Sequence, residues 1–194
     1  MKVIGITGNS GAGKTTVCEI MKKTYNVNII NADEVAKDMS RKGTPYLKAI
    51  EEAFGSEIIK EDGNLNRNLL AKKIYENHDE RKKLNDLTFI YVVDEIKNIL
   101  KQKETITNII DAPLLFEAGL EKICDKVITV VATQELKIKR ICERDGLDIE
   151  VAKSRLKIQN DEEFYIDKSD FVIRNNGSRE DLENQIKNIM NEIL

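Results

Sequence analysis

The chain has 194 residues, 41% hydrophobic and 34% charged, with 31 basic and 34 acidic side chains for a net charge of −3. That length suits one domain with room for a proper core, and the composition is that of a globular chain rather than a disordered or membrane one. The near balance of charge argues against a duplex-binding protein, whose footprint would be clearly basic, but it leaves room for a local basic cleft around a phosphorylated small molecule.

The first predicted strand, KVIGIT, runs into Gly8-Asn9-Ser10-Gly11-Ala12-Gly13-Lys14-Thr15. KTTVCEIMKK then follows with Val17, Ile20 and Met21 at helical spacing. Strand, glycine loop and helix in that order form the context in which Gly-x-x-x-x-Gly-Lys-Thr binds phosphate. Glycines let successive N–H groups turn inward as an anion nest, and the helix adds the positive end of its dipole. Lys14 would reach the β- and γ-phosphates, and the Thr15 hydroxyl would bind Mg²⁺.

A second strand, VNII, ends at Asn31-Ala32-Asp33. Asp33, beyond that strand and across from the loop, reads as the base for an acceptor hydroxyl, and equally as a cap for a helix starting at Glu34. From Asp33 to Thr105 no strand is predicted, only helical runs such as RNLLAKKIYE and LNDLTFIYVVDEIKNILK. Residues 34–103 therefore read as a helical insertion, longer than a crossover needs and suited to acceptor specificity. A third strand, TITNII, ends at Asp111, either a metal-linked carboxylate acting directly or through water, or a strand-end turn residue.

The fourth strand is Asp125 to Ala132, and the fifth covers residues 170–175. Between them, residues 134–167 are helical, carry Arg140, Arg144 and Arg155, and look like a lid. Arg140 and Arg144 lie four apart on one helical face, where they could neutralise a transferring phosphoryl group. Charge on a solvated helix is the default reading of such a pair. Leu182, Ile186, Ile189, Met190 and Ile193 make one apolar stripe on a closing helix.

Strands alternating with helices indicate an α/β fold of three layers, a mainly parallel five-stranded sheet flanked by helices, with the helical insertion and lid added. The nucleotide-binding core is assigned to 1–33, 104–133 and 168–194. Ligands in such sheets sit beyond the carboxyl ends of the strands, where Asn31, Asp33 and Asp111 are predicted to share a rim with the loop. No Asn-Lys-x-Asp or Asp-x-x-Gly motif of a guanine-nucleotide switch occurs, so a small-molecule kinase fits best. Cys18, Cys124 and Cys142 form no Cys-x-x-Cys pair, and His78 is the sole histidine, too few ligands for structural zinc. No run is long enough for a membrane span, and Val3-Ile4-Gly5-Ile6 is too short for a secretory signal; a cytoplasmic protein with reduced thiols is expected.

Segments along nearly the whole chain resemble the dephospho-coenzyme A kinase family. They are GITGNSGAGKTT (5–16), NADEVAK (31–37), GTP (43–45), DGNLNRNLLAKKIY (62–75), DAPLLFEAGL (111–120), KRICERDGL (139–147), RLKIQ (155–159) and SDFVIRNNGS (169–178). The resemblance implies ATP-dependent phosphorylation of the ribose 3′-hydroxyl of dephospho-coenzyme A, the last step of coenzyme A synthesis. It implies Asp33 as base, with Lys14 and Arg140 as further catalytic groups. Nucleotide contacts would come from Asn9, Ser10, Gly11, Ala12, Gly13, Lys14, Thr15 and Thr16, with Arg144 and Asn175. Asp33, Arg67, Leu114 and Glu117 would meet the acceptor, and Thr15 and Asp111 would hold Mg²⁺. A small-molecule substrate and a monomer are expected, with no nucleic-acid or membrane partner.

Three positions depart from the family pattern. Asn31 stands where the first aspartate of Asp-Ala-Asp is expected, Phe89-Ile90 where a His-Pro pair is usual, and Lys137 where glutamine is common. A nucleoside or nucleoside-monophosphate kinase, or an ATP-binding regulator without turnover, are the alternative readings.

Overall fold

The computed structural model describes residues 2–75, 77–103 and 107–194. Among them are five strands, β1 (Val3–Thr7), β2 (Val27–Asn31), β3 (Thr107–Asp111), β4 (Lys126–Val131) and β5 (Phe171–Arg174), in the sheet order β2-β3-β1-β4-β5. β1 runs parallel to β3 and β4, and β4 parallel to β5. Every residue of β1 is buried, as a central strand covered on both faces requires. The predicted strands are all present with ends shifted by a residue or two; Thr105 and Ile106 of the third lie outside the described residues.

The chain divides into two compact units, one holding the sheet and resuming at Lys103 after Ile30, the other Asn31–Gln102. In the sheet unit, α1 (Lys14–Thr24) and α9 (Arg179–Ile193) pack on one face. Val17, Cys18, Ile20 and Met21 of α1 join Leu182, Ile186, Met190 and Ile193 of α9 over Ile4, Ile6, Ile128 and Ile173, with Ile189 partly buried beside them. α9 starts where it does because Ser178 and Asp181 cap it reciprocally: the Ser178 hydroxyl accepts the Asp181 N–H at 3.1 Å, and the Asp181 carboxylate accepts the Ser178 N–H at 3.0 Å. Between β4 and β5 lie α6 (Gln134–Asp145), α7 (Ile149–Lys157) and α8 (Glu162–Asp167).

The helical unit contains α2 (Ala32–Met39), α3 (Pro45–Phe54), α4 (Arg67–Tyr75) and α5 (His78–Gln102). Its core gathers Tyr46, Leu47, Ile50, Phe54, Ile58, Leu65 and Leu70. The Gly-Thr-Pro segment is a helix start: Thr44 accepts the Leu47 N–H at 3.2 Å, and Pro45 opens α3, where its missing N–H costs nothing. α5 begins six residues before the predicted run at Leu84, because Asn77 accepts the N–H groups of Asp79 and Glu80 at 3.0 and 3.1 Å. Glu76, the end of the predicted run 67–76, lies outside the described residues. Phe89 is half-buried and Ile90 is 63% exposed, so Ile90 is no core residue.

Among the described residues no helix is long and apolar enough to cross a membrane. All three cysteines are free thiols. Burial, helped by the Asp111 charge and opposed by Lys14, pushes the Cys18 thiol far above its usual range, and burial pushes Cys124 up to about 12. Since only the thiolate attacks, both should react with Ellman's reagent at neutral pH far more slowly in the folded protein than in urea. Rapid titration of all three thiols in the folded protein would contradict that burial.

Candidate functional site

The connection out of β1 leads to one side of the sheet and that out of β4 to the other, so a crevice opens above the carboxyl ends of these neighbours. The loop from Gly8 to Gly13 occupies it. At Gly8 (φ 131°) an added Cβ would lie 2.2 Å from the Val130 carbonyl, and at Gly13 (φ 101°) it would lie 2.1 Å from the Asn175 amide. Only glycine allows the chain to pass this closely over β4 and beside Asn175. The loop then enters α1, whose first-turn N–H groups lack intrahelical acceptors and carry the positive end of the dipole.

Lys14 lies back along its own loop, Nζ donating to the carbonyls of Gly8 at 2.7 Å and Asn9 at 3.2 Å. Thr15 is exposed and Thr16 half-buried. Behind the loop, the Arg140 guanidinium donates to the carbonyls of Gly11 and Ala12, both at 3.2 Å, and of Asn175 at 3.0 Å. The buried Asn175 amide adds a bond to the Ala12 carbonyl at 2.8 Å. Carbonyls on the inner half of the loop are thus held from the rear by a cation. α6 is anchored here as well, because the backbone of Lys137 lies against Gly11.

Arg140 and Arg144 do not act alike in this arrangement. Arg144 donates to both carboxylate oxygens of Asp145 at 2.7 and 2.9 Å and reaches Ser10 Oγ at 3.5 Å. Arg155 joins the same carboxylate at 2.6 Å. The Arg144 hydrogen bond and the two guanidinium charges hold the Asp145 carboxyl below its usual range. Lys137, in place of the expected glutamine, pairs with Glu162 at 3.2 Å and ties α6 to α8.

On the other flank, β3 pairs with β1 so that Asp111 stands opposite Ile6. The Ala112 N–H donates to the Ile6 carbonyl at 3.0 Å, and the Thr7 hydroxyl to the Pro113 carbonyl at 3.3 Å. Asp111 is buried at 6% exposure, and its charge and that of Lys14 both bear on the Cys18 thiol of α1. Of the paired leucines that follow, Leu115 is core and Leu114 is 39% exposed. Glu117 accepts from the Asn160 amide at 2.6 Å; burial pushes its carboxyl up against the pull of that bond. Burial, with the Glu117 charge, pushes the nearby Tyr165 phenol up to about 12.

In the helical unit, α2 starts at Ala32 and is capped by Asn31, whose side chain accepts the Glu34 N–H at 3.0 Å. This corrects the expectation of a helix starting at Glu34 with Asp33 as its cap. Asp33 is exposed in the first turn, where the dipole favours a carboxylate. Ser40 caps the C-terminus of α2, and Arg67 donates to Ser40 Oγ and, at 3.4 Å, to the Lys37 backbone carbonyl in the last turn. Arg67 is therefore bound at the C-terminal end of the helix whose first turn carries Asp33.

Gln159 and Asn160, in the turn between α7 and α8, contact the loop without having been singled out by spacing. The Gln159 carbonyl oxygen accepts the Ser10 N–H at 3.0 Å and the Asn9 amide at 3.3 Å, and the Asn160 backbone carbonyl accepts the same amide at 2.9 Å. The only sequence signal for Gln159 was the RLKIQ segment (155–159), which carried resemblance but no geometry, and Asn160 had none.

A family model described as dephospho-CoA kinase matches residues 2–181. A dephospho-CoA kinase from Fusobacterium nucleatum is 36% identical over 93% of this chain and 92% of its own length. One from Corynebacterium glutamicum is 37% identical over the full length of both chains, 100% of each. The solved structure of a dephospho-CoA kinase from Campylobacter jejuni superposes with a TM-score of 0.72 at 30% identity, covering 100% of this chain and 98% of that one.

Proposed function

This chain belongs to the dephospho-CoA kinase family, and on that premise we propose that it transfers the γ-phosphoryl group of ATP to the ribose 3′-hydroxyl of dephospho-CoA, releasing CoA and ADP. The observation that carries the reading is the braced phosphate loop, its inner carbonyls bound from behind by Arg140 and Asn175. With those carbonyls engaged, and with the Ser10 and Ala12 N–H groups bound to Gln159 and Asn9, the first turn of α1 and the other N–H groups of the loop can face an anion.

Phosphoryl transfer asks a protein for positioning and charge neutralisation more than for covalent chemistry. Lys14 and the loop N–H groups bind the β- and γ-phosphates, and Arg144, aimed by Asp145 at the edge of the loop, adds charge there. Arg140 contributes its charge from behind while keeping the loop in shape. On the acceptor side Asp33 takes the proton of the attacking hydroxyl, Arg67 orients the acceptor along α2, and Leu114 and Glu117 present an apolar and a polar contact from the loop after β3.

The donor set fits Mg²⁺. Thr15 and Asp111 offer two hard oxygens, in the first turn of α1 and at the end of β3. That agrees with an ion that keeps several waters and takes its remaining ligands from substrate phosphates. Thr15 and Asp111 would hold Mg²⁺, which would supply charge neutralisation to the phosphates. Three free thiols support a reducing, cytoplasmic setting.

ADP formation from ATP and Mg²⁺, measured against dephospho-CoA, adenosine, AMP, CMP and dTMP, tests the reading. Turnover is expected with dephospho-CoA alone and should stop with excess EDTA. Preference for adenosine or a monophosphate would redirect the acceptor assignment, and silence with ATP still bound would favour a regulator.

A further inference from the structure

We infer that Gln159 is a positioning residue for ATP, acting through Lys14. The inference rests on the proposal that this loop binds ATP, and it concerns a side chain remote from the loop in sequence: Gln159 and Ser10 are 149 positions apart.

The link runs through one peptide plane. The Asn9 carbonyl and the Ser10 N–H belong to the same rigid amide, so fixing one end fixes the other. Gln159 Oε1 accepts the Ser10 N–H at 3.0 Å. The Asn9 carbonyl at the opposite end accepts the Ala12 N–H and the Lys14 ammonium, each at 3.2 Å. Rotation of this amide would carry away one of the two carbonyls that hold Lys14, and would open the turn that Ala12 closes.

The Asn9 side chain fixes the same plane a second time. Asn9 is 6% exposed, and an amide buried to that degree needs partners for its N–H groups. Both acceptors come from the α7–α8 turn: Gln159 Oε1 at 3.3 Å and the Asn160 carbonyl at 2.9 Å. The turn is itself held by the Asn160 side chain on Glu117 at 2.6 Å. Arg140 and Asn175 brace the inner half of the loop, and Gln159 sets the outer half, on which Lys14 rests.

ATP affinity, measured by competition against a fluorescent ATP analogue with Mg²⁺ present, tests this in a double-mutant cycle. Gln159→Ala removes two hydrogen bonds and is expected to weaken ATP binding about tenfold, as a rise in KM for ATP with KM for the acceptor unchanged. In a Lys14→Ala background the same substitution should weaken binding by less than about twofold, because the group it positions is gone. Equal losses in the two backgrounds would show general damage to the loop and overturn the inference. So would an equal loss from Ile158→Ala, a neighbour that is 68% exposed and outside the network. Wild-type protein that binds no ATP would overturn the underlying function and this inference together, whereas wild-type binding with an unaffected Gln159→Ala overturns this inference alone.

Discussion

Replacing Lys14 by alanine is expected to lower kcat/KM for ATP about 1,000-fold, the upper end of what one preorganised charge-stabilising group contributes. The ammonium is already inside the loop, held by the carbonyls of Gly8 and Asn9, so binding phosphate requires no ordering of a free side chain; with three N–H donors it can turn toward phosphate while keeping the Asn9 carbonyl. Both parameters should suffer: KM because a cation facing a polyanion is lost, kcat because charge moves during transfer. Loss of two part-buried hydrogen bonds changes folding stability by about 1–3 kcal/mol, which a urea denaturation curve measures separately from the catalytic effect. A drop of less than tenfold, with the fold intact, would remove Lys14 from the chemistry and leave it a loop staple.

Asp33→Asn should lower kcat by roughly 100- to 10,000-fold, the span for a lost general base, with ATP affinity unchanged. The substitution keeps size and hydrogen-bonding capacity. It leaves the helix cap untouched, because Asn31 and not Asp33 accepts the Glu34 N–H. The stability cost is confined to the lost charge at the helix N-terminus, roughly 0.3–1 kcal/mol. A variant with wild-type kcat would reduce Asp33 to that dipole role. The asparagine at position 31, a departure from the family pattern, keeps its capping function without charge, which fits a structural part for this residue.

Elements written in local pattern are legible in the sequence. The strand and helix flanking the N-terminal glycine loop and the apolar stripe of α9 follow from side-chain periodicity, and both appear with the expected residues buried except Ile189, which is only partly so. Boundaries set by a single side chain are not. His78 opens α5 because Asn77 caps it, and Ala32 opens α2 because Asn31 does; neither residue interrupts an apolar period. The arginine pair of α6 shows a second limit. Spacing four apart put Arg140 and Arg144 on one face, but which guanidinium turns to the loop carbonyls and which to Asp145 depends on β5 and on the path of the loop. Gln159 is the extreme case, since its value lies in a peptide plane brought to it by the fold.

The measurement that bears most directly on the central claim is the position of the transferred phosphate. The protein would be incubated with γ-labelled ATP, Mg²⁺ and dephospho-CoA, and the product treated with a 3′-nucleotidase. One label per product molecule, released entirely by that enzyme, is the predicted result. Label found only as free inorganic phosphate before the nucleotidase is added, or in a product that resists it, would contradict phosphorylation of the ribose 3′-hydroxyl.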